Sequence, residues 1–173
     1  MSKYPELDAL SKEELIAIIE DEAKNWLAHD GLWFQAVERH FGLDEAIKLD
    51  IEAWRDFTVI EAKRIMERLK LPKNSGLDGL KKALNFRMYR RINEQVIEKT
   101  DNSLILKMVT CRVQSARQRK NLPFFPCKSV GIVEYSYFAS TIDERIKTTP
   151  VKCPPDDITN TGFHCVWEFK LEA

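Results

Sequence analysis

The chain has 173 residues, 27 basic against 27 acidic side chains, 44% apolar residues and four cysteines. Such a length buries a core without cross-links, and one domain over 1–173 is expected, with a helical lobe at about 1–90 and a cysteine-bearing α+β lobe at about 91–173. A net charge of zero excludes a general nucleic-acid coat, and no apolar run reaches the roughly 20 residues of a membrane span, so neither nucleic acid nor membrane is an expected partner. The charge is nonetheless uneven: residues 1–80 hold 17 acids against 11 bases, and residues 81–130 hold 12 bases against 3 acids. The start, MSKYPELDALSKEEL, is acidic and lacks the apolar region of a secretory leader. A cytoplasmic protein is expected, with its cysteines as thiols, ligands or catalytic groups rather than disulfides.

In chain order, residues 1–10 read as an irregular lead-in. Ser11 and Glu14 match a capping box, and Leu15, Ile18, Ile19, Ala23, Trp26 and Leu27 follow on one helical face. Asp30-Gly31 predicts a break or kink before a second helix, Leu32 to Phe41, which ends at Gly42. Asp44 is the expected N-cap of a long helix that keeps its period to about Leu71, where Pro72 and KNSG end it. A shorter helix is expected over Leu77 to Phe86.

The period then changes. Glu94 to Thr110 reads as a hairpin turning at Thr100-Asp101-Asn102-Ser103. Cys111 to Gly131, CRVQSARQRKNLPFFPCKSVG, is a strongly basic connection. Ser129 to Ile146 fits a helical stripe behind a serine N-cap, while its aromatic and β-branched content also permits a strand. Lys147 to Cys153 reads as a strand ended by Pro154-Pro155. Phe163 to Leu171 is the last strand, with Phe163, Cys165, Trp167 and Phe169 on one face. The fold class is therefore α+β: a helical N-terminal half packed on a small antiparallel sheet of β-β-α-β-β order.

The cysteines carry the chemistry. Thiolates suit zinc or an iron–sulfur cluster, with Cys111, Cys127 and Cys153 as ligands, although no C-x-x-C pair supplies a local chelate. Cys165 shares a face with Trp167 and Phe169, which suits a core residue. Cys127 lies just before a helix start and beside Lys128, a setting that favours the thiolate. It is the first candidate nucleophile, Cys111 is the second, and Asp156 is a candidate assistant. Arg112, Gln114 and Arg117 suit a carboxylate or phosphate clamp. Trp33, in HDGLWF, suits a pocket wall.

The strings HDGLWFQAVERHFGLDEAIKL, CRVQSARQRKNLPFFPCKSVG and IDERIKTTPVKCPPD, closing on CVWEF, resemble a family of small bacterial and archaeal cytosolic proteins of unknown function. More remotely, Cys153, Asp156 and Cys165 resemble the pattern of the aminothiazoline-carboxylate hydrolase-like family. The layout of helices before a small cysteine-bearing sheet is also similar to vinyl-reductase-like domains, which implies small-molecule and sometimes metal binding. The leading expectation is a site between the lobes for a small acidic molecule or a metal. The alternatives are a hydrolase of a small carboxylate-bearing amide or heterocycle, and an interaction module that dimerises through the helix from Asp44 to Leu71.

Overall fold

The computed structural model describes residues 3–172. A single turn, α1 (Pro5–Asp8), occupies the lead-in. Ser11 then starts the first long helix. Its Oγ accepts from the Glu14 N–H at 3.1 Å, and the Ser11 N–H donates to the Glu14 carboxylate at 2.7 Å, so both bonds of the capping box are made. The helix, α2, runs Lys12–Phe41 without interruption. This corrects the kink expected at Asp30-Gly31. A helical glycine costs only about 1 kcal/mol, and Trp26 and Phe34 on either side pack into one apolar cluster.

Gly42, at φ +89°, caps the end of α2 and the start of α3 (Leu43–Leu69). Asp44 is therefore not the N-cap. It lies in the first turn, where a carboxylate still favours the helix dipole. The two helices fold back on each other, Trp26 stacking on Phe57 with centroids 5.2 Å apart and meeting Trp54 edge-on at 5.8 Å. α3 ends at Lys70, which takes the left-handed conformation. Next come α4 (Gly76–Leu84) and the single turn α5 (Tyr89–Ile92).

Strands β1 (Gln95–Lys99), β2 (Ser103–Met108), β3 (Ile146–Lys152) and β4 (Cys165–Leu171) form one antiparallel sheet of order β1-β2-β4-β3. Leu104 is registered with Phe169, Leu106 with Trp167 and Met108 with Cys165. Alternate residues thus supply one apolar face. Between β2 and β3 lie two helices, α6 (Arg112–Arg119) and α7 (Lys128–Ile142). The basic connection is therefore partly helical, and of the two readings of Ser129 to Ile146 the helix is the one formed.

The architecture is α+β. Helices α4 and α7 pack on the sheet and α3 packs on α7, with Ala62, Leu80, Phe138, Ile142, Leu106 and Trp167 at the centre of the main core. Gly131 lets α7 approach the sheet closely, because an added Cβ would stand 2.6 Å from Cζ2 of Trp167. A smaller cluster around Trp54, Phe125 and Val130 joins the α2–α3 pair to the α6–α7 segment. Among the described residues no helix is long and apolar enough to cross a membrane.

Candidate functional site

Between the α2–α3 pair and the α6–α7 segment lies a cavity of about 400 Å³, walled largely by apolar and aromatic side chains such as Trp54, Phe125, Val130 and Trp167. All four cysteines line it. They meet because Cys111 precedes α6, Cys127 precedes α7, Cys153 follows β3 and Cys165 opens β4. Three carboxyl groups from three helices line it as well: Asp30 of α2, Asp50 of α3 and Glu134 of α7.

The thiols are unequal. Cys127 Sγ lies 3.5 Å from Cys153 Sγ and 3.7 Å from Gln114 Nε2. The Cys153 thiol, donating to it, holds Cys127 below the ordinary thiol range against the opposing effect of burial. Cys153 has no exposed surface, and its thiol is pushed up, first by its bond to Cys127 and next by Cys165. Burial pushes the Cys111 thiol up to about 12, so it is neutral near pH 7. Cys165 Sγ accepts from Trp167 Nε1 at 3.3 Å.

Burial also shapes the carboxyls. It pushes Asp30 up to about 6, with His29 pulling the other way. It pushes Asp50 up to about 7, reinforced by the negative charges of Asp30 and Glu134 and opposed by a hydrogen bond from the Trp54 side chain. Glu134 is raised by burial and held back by Arg87. Arg87 is only 2% exposed. Its Nε donates to Glu61 at 2.8 Å, and its Nη1 forms an ion pair with Glu134 Oε1 at 2.6 Å. The rings of Tyr89, Tyr135 and Phe138 surround the guanidinium, the nearest centroid at 4.6 Å. A carboxyl titrating near neutrality can give or take a proton, and a favoured thiolate can attack an electrophile, so the cavity holds the groups for both.

The structure brings some of the sequence-predicted residues together and separates others. Arg112 is exposed and lines the cavity. Gln114 and Arg117 also line it, but their polar ends are engaged. Gln114 exchanges two 2.9 Å bonds with the Phe125 backbone. Arg117 grips both Glu38 oxygens at 2.8 and 2.9 Å and donates from Nε to the Pro123 carbonyl. Asp156 lies away from the cavity wall, paired with Lys128 and accepting from the Cys153 N–H. Trp33 is 69% exposed and does not reach the cavity; its neighbour Phe34 does.

The expected metal set of Cys111, Cys127 and Cys153 finds no support. Among the described residues no three His, Cys, Asp or Glu side chains are arranged to hold a metal ion. Cys127 and Cys153 form a thiol contact with each other, and Cys111 is a half-buried thiol that is neutral near pH 7. The three cavity carboxyls are the residues that motif reading misses. The available signal was placement: Asp50 sits three residues from Ile47 and four from Trp54, and Glu134 four from both Val130 and Phe138. A carboxylate inside an apolar helical stripe must face either the core or a cavity.

Residues 8–171 match the family model described as a family of unknown function (DUF6125), and the chain belongs to that family. No curated protein matches it. The two remoter resemblances, to the aminothiazoline-carboxylate hydrolase-like family and to vinyl-reductase-like domains, find no support.

Proposed function

We propose that the protein binds a small, largely apolar molecule that carries a carboxylate, its body in the cavity and its acid group at the mouth. One observation carries this: a mainly apolar cavity of about 400 Å³ is edged by two exposed guanidinium groups, Arg112 and Arg119, that form no ion pair among the described residues. The volume falls in the range of small-molecule sites, about 300–1,000 Å³. Arg offers a planar donor fork that fits a carboxylate. Gln114 and Arg117 support the site by seating α6. Asp30 and Asp50 titrate at about 6 and about 7, so near neutral pH an acidic ligand meets less negative charge than three carboxyls imply.

A second reading, hydrolysis of a small carboxylate-bearing amide or heterocycle, is favoured by one feature. A carboxyl titrating at about 7, Asp50, lines the same cavity as the favoured thiolate of Cys127.

Titration with a panel of small aromatic and branched aliphatic carboxylates, followed by tryptophan fluorescence and melting temperature, tests the binding reading. At least one compound is expected to saturate and to stabilise the fold. The Arg112→Ala/Arg119→Ala double variant is expected to bind it at least tenfold more weakly, since a charged hydrogen bond contributes about 1.5–3 kcal/mol. Ala116→Trp, which fills the cavity, should abolish binding. No saturable carboxylate, or unchanged affinity in the double variant, refutes the reading.

A further inference from the structure

Cys127 and Cys153 are held together by more than proximity. The Lys128 N–H donates to the Pro154 carbonyl at 2.9 Å, so the residue after one cysteine is bonded to the residue after the other. Asp156 adds a second tie, accepting from the Cys153 N–H at 3.0 Å while pairing with the Lys128 ammonium. The start of α7 and the end of β3 are thus pinned at the cysteines themselves, with the two sulfurs 3.5 Å apart. Their positions differ in a useful way. Both border the cavity, but Cys127 is partly exposed while Cys153 has no exposed surface. Cys127 also stands at the amino end of a 15-residue helix and within reach of the Gln114 amide.

We propose that Cys127 and Cys153 form a redox pair that reduces a hydroperoxide admitted to the cavity, Cys127 as the attacking sulfur and Cys153 as the resolving one. In the first step the Cys127 thiolate attacks the terminal peroxide oxygen. An S–O bond forms as the O–O bond breaks, and the departing alkoxide takes a proton from water to leave as the alcohol. Cys127 becomes a sulfenic acid, and the two electrons it loses reduce the hydroperoxide. In the second step Cys153 Sγ attacks the oxidised sulfur. The S–S bond forms, the S–O bond breaks, and the hydroxyl leaves as water with the Cys153 proton. The sulfurs close from 3.5 Å to the roughly 2 Å of a disulfide.

The order of attack follows from the surroundings. The thiolate is the reactive form, and Cys127 receives both the Cys153 thiol and the Gln114 amide. Cys153 is held neutral and has no exposed surface, so the partly exposed Cys127 meets an oxidant first. The apolar wall formed by Phe125, Val130 and Trp167 suits an organic hydroperoxide better than a hydrated one.

The test uses the full-length reduced protein with one equivalent of hydrogen peroxide or cumene hydroperoxide, read by intact mass and peptide mapping. A loss of two hydrogens in a Cys127–Cys153 peptide, reversed by dithiothreitol, is expected. Oxidation should be faster with the cumene compound. A free thiol is about 3% ionised at pH 7, and the lowered Cys127 thiol carries more thiolate than that, so it should react faster than free cysteine. Cys153→Ser should stop at a sulfenic acid on Cys127, trapped by dimedone, and Cys127→Ser should leave Cys153 reduced. A disulfide between Cys153 and Cys165, equal oxidation of all four thiols, or no reaction at one equivalent overturns the proposal. The wild-type mapping decides even if a variant fails to fold.

Discussion

Replacing Asp50 by Asn should make the protein more stable at alkaline pH. The Asp50 carboxyl titrates at about 7 in the fold and near 3.8 when exposed. The folded state therefore binds its proton more tightly than the unfolded state. Between those values folding takes up a proton, so stability falls as pH rises and levels off above about 7. The gap is about three powers of ten at about 1.4 kcal/mol each, a ceiling of about 4 kcal/mol. Asp50 is only part-buried and faces a cavity that admits water, so screening reduces the effect to about 1–2 kcal/mol. Asn keeps a carbonyl oxygen to accept the Trp54 hydrogen bond, which confines the change to charge. Urea unfolding of both proteins at several points from about pH 5 to about pH 8 measures it, and the advantage of Asp50→Asn should widen with pH. Parallel curves, or a variant weaker than wild type at the alkaline end, would show that the Asp50 charge is not desolvated.

Two further outcomes follow from the core. Arg87→Met removes the cation between Glu61 and Glu134 and should cost about 3–5 kcal/mol near pH 7, because two buried carboxylates lose their partner. Adding Glu134→Gln should recover part of that loss, and equal denaturant midpoints for Arg87→Met and wild type would refute the pairing. Gly131→Ala should destabilise by about 1–3 kcal/mol in the same assay, because the new methyl meets the Trp167 ring at 2.6 Å and the indole must shift.

Much of the scaffold was legible where a local rule decides the outcome. The Ser11–Glu14 box, the long period of α3 and the alternation of β4 are of this kind. The basic connection was not, because α6 buries Gln114 and Arg117 rather than apolar residues. Hydrophobic periodicity cannot reveal a helix seated by hydrogen bonds. The placement of Trp33 was hidden for a related reason. Once α2 continues through Gly31, each residue advances the face by about 100°, so Phe34 turns inward and Trp33 outward. The gathering of cysteines at strand ends and helix starts followed from their positions, but the 3.5 Å contact depends on ties between Lys128, Pro154 and Asp156 that no spacing encodes.

The seating of α6 has a consequence for how the cavity opens. Apolar contacts can slide by a fraction of an ångström with little change in energy. Directional bonds cannot, and the grip of Arg117 on both Glu38 oxygens, like the reciprocal pair between Gln114 and Phe125, is satisfied in one position. The cavity wall that α6 forms is therefore fixed in one register, and because the Arg117 side chain is almost fully covered, salt should loosen its pair with Glu38 little.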